Sequence, residues 1–228
     1  MRAFFIFGKK RSLRIKERYE KVIDHFVRHQ PDPKTELSYS SPYQLIVAVI
    51  LSAQCTDKRV NMITPPFFGT FPDAESLSRA THEEVYEIIK SCSYPNNKSK
   101  NLIGMAKTLV NEFKGEVPDD VELLQRLPGV GRKSANVIAS VVFQKPAMAV
   151  DTHVFRVAAR LGLTTNAKTP LEAEKQLVRH IPADLVHKAH HWLILHGRYV
   201  CQARKPKCKI CGVRNWCRYY QRSVKGRG

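Results

Sequence analysis

Apolar residues along the chain return every three or four positions, the spacing of one face of a helix, and not every second position as in a strand. Ile15, Tyr19, Val22, Ile23 and Phe26 form the first such stripe, Leu102, Met105, Ala106 and Leu109 a second, and Val154, Val157, Ala158 and Leu161 a third. Capping chemistry marks three further helix starts. In Ser41-Pro42-Tyr43-Gln44, Thr81-His82-Glu83-Glu84 and Thr169-Pro170-Leu171-Glu172 a hydroxyl residue stands three places before Glu or Gln. At that spacing the cap and the N3 side chain each satisfy the other's backbone N–H. Proline at the first helical position of two of them fits, because its φ suits a helix and its missing N–H would have had no partner there. Leu45–Leu51 and Val137–Phe143 are ambiguous, since β-branched runs are also compatible with buried strands. The pairing of Val137 and Ile138 with Val141 and Val142 favours a helix for the second. No Asn-Gly type of turn separates alternating segments, so no β-hairpin is indicated. The pattern predicts an all-α chain of about ten helices with short polar connections.

Charge narrows the partners. Among 228 residues, 38 Lys plus Arg face 20 Asp plus Glu, a formal surplus of +18. That length allows one large or two small domains with a real core. Such a surplus seeks a polyanion, either nucleic acid or an anionic membrane surface. The longest apolar runs, Leu45–Leu51 and Ala3–Phe7, fall far short of the roughly 20 residues that span a bilayer, so no membrane is expected. Before Glu17 the N-terminus has no acid, which admits a short transit peptide. Its apolar stretch is too brief for a secretory signal and no small-residue cleavage site follows, so it reads as a basic arm.

The surplus is unevenly spread. The 44 residues from Leu185 to Gly228 contain no acid, and between Glu122 and Glu172 there is one, Asp151. Asp151 is a preferred N-cap type for the Val154 helix, which would account for it fully. A carboxylate among cations would equally accept a proton or stabilise a developing positive charge. Upstream, Leu127-Pro128-Gly129-Val130-Gly131-Arg132-Lys133 joins an expected short helix (119–126) to the Val137 helix. Helix, glycine turn, helix either closes an ordinary corner or offers bare N–H groups and a helix N-terminus to a phosphate. Lys133, in the first turn of the second helix, is either one more phosphate-contacting cation or a nucleophilic amine. An amine nucleophile needs a lowered pKa, which Arg132, burial and the helix terminus would each favour.

Four cysteines, Cys201, Cys208, Cys211 and Cys217, are packed into 17 residues, which suggests metal ligation before disulfides. Their spacing fits an iron–sulfur cluster or a four-cysteine zinc site. Cys55 and Cys92 read as small core residues. His187 and His191 have i, i+4 ligand spacing, but no HExxH is present and Trp192, Leu193 and Leu195 mark a packed face, so packing and hydrogen bonding are expected of this cluster.

Taken together, LPGVGRKSAN (127–136), VDTHVFRV (150–157), HHWLILHGRYVC (190–201) and the cysteine spacing resemble the endonuclease III family, bifunctional DNA glycosylases and abasic-site lyases of base excision repair. The resemblance runs from about Lys16 to Tyr219. It implies two α-helical lobes flanking a DNA cleft. One is a six-helix barrel over 35–145 that holds the helix-hairpin-helix; the other joins 1–34 to 146–228 and carries a 4Fe–4S cluster on Cys201, Cys208, Cys211 and Cys217. It implies that Lys133 attacks the anomeric carbon of a damaged pyrimidine nucleotide, displaces the base as a Schiff base forms, and that β-elimination then cuts the strand. Asp151 would assist as general base and electrostatic partner. Gln54 would fill the space left by the flipped nucleotide and Tyr94 would wedge into the stack, although Ser93 and Pro95 beside it depart from the family's usual Gly and Tyr. Gly129, Val130, Gly131 and Arg132 would meet the DNA backbone, His153 would contact DNA or pack in the cleft, and Arg204, Lys205 and Lys207 would meet phosphates. The implied partner is double-stranded DNA with damaged pyrimidines or abasic sites, bound by a monomer in the bacterial cytoplasm, at the nucleoid; organellar or nuclear targeting is not expected. Two rivals are distinguishable. A mismatch adenine glycosylase lacks the lysine and uses a glutamate near the position of Val49, whereas a non-catalytic helix-hairpin-helix module needs neither Lys133 nor Asp151.

Overall fold

A computed structural model describes residues 14–225; the basic N-terminal arm lies outside them. The described residues form twelve α-helices and two 3-10 turns, with no strand among them. The helices are α1 (Ile15–His29), α2 (Pro42–Ser52), α3 (Asp57–Thr70), α4 (Ala74–Ser78), α5 (His82–Ile89), α6 (Pro95–Phe113), α7 (Val121–Leu124), α8 (Arg132–Phe143), α9 (Thr152–Leu161), α10 (Pro170–His180), α11 (Val186–Tyr199) and α12 (Arg218–Lys225). No described helix is long and apolar enough to cross a membrane.

Both ambiguous runs are helical. Leu45–Leu51 is buried on every side as the middle of α2, which is why it shows no polar face. The three expected caps all form, but only Thr81 makes the reciprocal box, with Glu84 Oε2 accepting from Thr81 N at 2.7 Å. At Ser41 and Thr169 the N3 side chain instead reaches one residue further back, to Ser40 N at 2.9 Å and Lys168 N at 2.7 Å. The following proline accounts for this. It holds Ser41 and Thr169 at φ −143° and −123°, against −78° at Thr81, and so turns the cap's own N–H away from the N3 side chain. A further complete box, Asp73 with Ser76, opens α4.

Two hydrophobic cores organise these helices. One gathers Leu37 to Ala147 around α2, with Phe67, Leu77, Leu102, Met105 and Leu109 fully buried. The other joins Tyr19, Val22 and Phe26 of α1 to residues from Met148 to Cys217, around Trp192, which stacks on Phe26 with ring centroids 5.8 Å apart. α1 is tied to this second core by buried polar contacts. Tyr19 Oη donates to Leu163 O at 2.7 Å, Trp192 Nε1 to Gln30 O at 2.7 Å, and the buried Arg18 Nε to Trp216 O at 2.9 Å. The segment between α8 and α9 passes from the first core to the second, and a cleft of about 810 Å³ is lined from both.

Candidate active site and cysteine loop

The glycine hairpin leads into α8, which lines the cleft with Lys133 and Val137. Asp120 caps α7 by accepting from Glu122 N and Leu123 N at 2.8 and 3.0 Å, and the turn closes with Val130 N donating to Leu127 O at 3.0 Å. Val130 is buried and anchors the turn. The two glycines have different reasons. Gly129 has φ +81°, and a Cβ there would stand 2.9 Å from Asn101 Cβ, so the fold itself demands glycine. Gly131 has φ −83°, which any residue adopts, and a Cβ would meet nothing within 4 Å. Glycine is a favoured N-cap there, and the open space beside it also leaves the backbone accessible to a ligand. As the N-cap of α8, Gly131 puts no side chain over the first-turn N–H groups.

Lys133 is exposed in that first turn, lines the cleft and forms no ion pair among the described residues, whereas its neighbour Arg132 is held bidentately by Glu174 of α10 at 2.6 and 3.1 Å. Arg132 is thus engaged within the protein. The same cleft is lined by Asp151, the N-cap of α9, whose Oδ1 accepts from Val154 N at 2.8 Å. Its other oxygen has no protein donor among the described residues. Beneath them the buried ring of His190 bonds through Nδ1 to Ala149 O at 2.9 Å, and burial pushes its pKa down to about 4. His191 is likewise driven down to about 3 by burial, with the neighbouring His190 and His187 adding to the effect. The histidines of α11 are packed and neutral.

Gln54 lines the same cleft; Tyr94, 61% exposed, stands on the adjoining loop. Both are left-handed, with φ 53° and 55°. Non-glycine residues rarely adopt this conformation, and where they do the surroundings hold them there. Here the two turns hold each other, with Ser93 Oγ donating to Gln54 O at 2.7 Å. Behind them the buried Lys98 ammonium donates to Leu51 O and Ala53 O at 2.7 and 2.8 Å, closing the carbonyl end of α2. Cys92 is buried beside the half-buried Cys55, which borders the cleft, with their sulfurs 3.8 Å apart. The sequence reading had no signal for the far wall. There Arg198 of α11 pairs with Glu36 and Asp57, and Tyr199 also donates to Glu36, joining α11 to residues of the first core.

The four cysteines line one small pocket with His196, Leu161 and Tyr220. Burial raises Cys211 to about 11 and also raises Cys217; the other three thiols add to the effect at Cys211, and Cys201 and Cys208 add to it at Cys217. Four thiolates there are tolerable only around a cationic centre. Yet no three His, Cys, Asp or Glu among the described residues converge closely enough for a single ion. The four-thiol donor set is of the type that holds an iron–sulfur cluster, whose irons would supply that positive charge. The loop is fastened by α9. Arg160 donates to Gln202 O and Ala203 O at 2.7 Å each and reaches Cys201 Sγ at 3.5 Å; Arg156 donates to Gly197 O at 2.9 Å and meets His153 Nδ1 at 3.2 Å. His153 borders the cleft and packs over Gly197, where a Cβ would stand 2.8 Å from it. Lys205 is exposed on the loop.

Residues 47–183 match the HhH-GPD superfamily of base excision DNA repair proteins. Endonuclease III of Rickettsia conorii is 47% identical over 200 residues, spanning 88% of this chain and 95% of that protein. Endonuclease III of Escherichia coli K12 is 40% identical over 201 residues, spanning 88% and 95%. A structure of a trapped endonuclease III–DNA covalent intermediate superposes with a TM-score of 0.86 at 38% identity, covering 93% of this chain and all of the other. With glycine hairpin, lysine, aspartate and cysteine loop in one order on one fold, the chain belongs to the endonuclease III family of the HhH-GPD superfamily of base excision DNA repair proteins.

Proposed function

We propose that the chain removes oxidised pyrimidines from double-stranded DNA through an imine at Lys133 and then nicks the abasic site by β-elimination. The observation that carries this reading is that Lys133, from α8 beside the first core, and Asp151, at the start of α9 beside the second, line one open cleft, each with its reactive end uncommitted to the protein. The Lys133 amine, once deprotonated, attacks the anomeric carbon of a nucleotide turned out of the duplex. The bond to the base breaks and the base leaves with the electron pair. The Asp151 carboxylate stabilises the positive sugar and takes the proton that the lysine sheds. The nitrogen lone pair then expels O4′, which takes up a proton as the sugar ring opens to the imine; the imine acidifies the neighbouring sugar carbon, and loss of that proton expels the 3′-phosphate.

Positions of the duplex contacts follow. Gly129, Val130 and Gly131 offer backbone to a phosphate, Gln54 and Tyr94 occupy the gap in the stack, and His153 and Lys205 border the DNA path. Arg132 serves through its pair with Glu174 until DNA competes for it. Cys201, Cys208, Cys211 and Cys217 hold a 4Fe–4S cluster that braces the Lys205 loop; bound there, its part is structural. The enzyme acts as a monomer in the bacterial cytoplasm, with residues 35–145 as the barrel lobe and 1–34 plus 146–228 as the cluster lobe.

Borohydride trapping tests the chemistry. The wild-type chain should crosslink covalently to duplex DNA bearing an abasic site or thymine glycol, and Lys133→Gln should not. Equal trapping by both, or by neither, overturns the assignment.

A further inference from the structure

Lys133 and Asp151 lie on different helices, and the connection between α8 and α9 determines where one stands relative to the other. Residues 144–151 contain no regular secondary structure. Two side chains pin this connection at consecutive carbonyls. Asn136, three residues after Lys133 on α8, donates from Nδ2 to Met148 O at 3.1 Å. His190 of α11 bonds Ala149 O through Nδ1 at 2.9 Å. Two residues later the chain reaches Asp151, which stops extending and caps α9. A bond to Ala149 from α11 therefore fixes the approach of Asp151 from the side of the second core, while Asn136 fixes it from the helix that bears the lysine.

We propose that His190 is a positioning residue for the lysine reaction: by holding the Ala149 carbonyl it sets the Asp151 carboxylate in register with the Lys133 amine. This rests on the assignment of Lys133 and Asp151 made above. A carbonyl oxygen only accepts, so the ring carries its proton on Nδ1. The ring is 3% exposed and neutral, and Lys133 and Arg198 both disfavour a second proton on it. Neutrality matters for the role, because an imidazolium at this depth would compete with Lys133 for the Asp151 charge. Met148 and Ala149 are themselves buried, so the connection has no solvent to replace a lost partner.

Two substitutions of similar polarity separate positioning from mere filling. The amide nitrogen of an asparagine side chain falls where Nδ1 of histidine stands, whereas that of glutamine lies a bond further out. Imine formation is read as the single-turnover rate of borohydride trapping on an abasic duplex with enzyme in excess, and affinity as the Kd for a duplex carrying a stable reduced abasic site. His190→Gln should slow imine formation by roughly tenfold to a hundredfold, the scale of an ångström of misplacement, with Kd within about twofold of wild type. His190→Asn should restore most of the rate. In an Asp151→Asn background His190→Gln should add almost no further loss, because a residue acting through Asp151 has nothing left to position. The proposal is overturned if the two His190 variants behave alike, if rate and affinity fall together, or if the two losses multiply. Trapping that survives in Lys133→Gln would instead remove the underlying assignment, whatever the His190 variants do.

Discussion

One oxygen of the Asp151 carboxylate accepts from Val154 N at 2.8 Å, and the other has no donor among the described residues. Cap and chemistry therefore share one side chain, and substitution separates them. Asparagine caps as well as aspartate, while alanine costs about 1 kcal/mol of helix stability. Asp151→Asn should unfold within about 0.5 kcal/mol of wild type in a urea titration yet lose imine formation by a factor on the order of 10² or more. Asp151→Ala should lose both. An Asp151→Asn enzyme of near wild-type rate would reduce the residue to a cap. One acid in a long acid-free stretch pointed to both roles, and the cap is the one the structure forms. The neighbouring His190 was not legible: it sits in a run of four histidines whose separate partners depend on which elements pack against each face of α11. Arg198 was equally hidden, since its partners Glu36 and Asp57 lie more than a hundred residues away in sequence.

At the scale of elements, the hairpin between α7 and α8 shows how one motif combines folding and binding. Gly129 combines a left-handed backbone with a 2.9 Å approach to Asn101, so Gly129→Ala should destabilise the fold by more than about 1 kcal/mol. Gly131 has neither constraint but is the N-cap of α8, where glycine outranks alanine, so Gly131→Ala should cost about 0.5 kcal/mol, less than Gly129→Ala, and weaken DNA binding through the proposed phosphate contact. Melting temperature and Kd measured on both variants check the pair. Comparable unfolding losses, or a Gly131→Ala Kd equal to wild type, would refute the division. Motif spacing revealed the turn and not this difference, which depends on Asn101 of α6, 28 positions upstream. Helix starts were legible because caps are local. How far each cap closes was not, since it depends on the φ that a following proline imposes at Ser41 and Thr169. Pro65 and Pro66 lie inside α3, against the usual stop that proline signals; Phe67, fully buried beside them, shows that tertiary packing holds the helix through the break.

Across the whole molecule, the second core is built around histidines kept neutral by burial. His190 and His191 are lowered to about 4 and about 3, against about 6.5 in an unfolded chain. Below pH 6.5 the unfolded chain takes up protons that the folded one refuses, so stability falls as pH drops from 6.5 toward 4. The loss should approach about 2 kcal/mol per histidine by pH 5, an upper figure if both shifts are fully expressed. The lowered carboxylates Asp24, Asp73, Glu84 and Asp119 add their losses only near and below pH 4, so the two ranges separate. Urea titrations at pH 7.5, 6 and 5 should show this decline, shallower in His191→Asn. A flat profile between pH 7.5 and 5 would mean that these rings are not held neutral.

Ion pairing leaves the surplus of +18 in place but fixes several of the acids on particular cations. Glu174 holds Arg132, Glu36 and Asp57 hold Arg198, Asp119 holds Lys145, and Glu112 holds Arg126. Lys133 and the loop cations Arg204, Lys205, Lys207 and Lys209 are exposed, and the loop holds no acid to repel a phosphate backbone. Binding should accordingly be dominated by counterion release, with log K falling against log salt by about 0.9 for each phosphate contacted. A footprint of about six contacts would cost on the order of 10³ in affinity between 50 and 200 mM salt. Replacing Lys205 by alanine should reduce that slope by close to one contact and leave the rate of imine formation at saturating enzyme unchanged, since the loop positions DNA and touches no reacting atom. A slope near zero, or a Lys205→Ala slope equal to wild type, would place the DNA elsewhere on the surface.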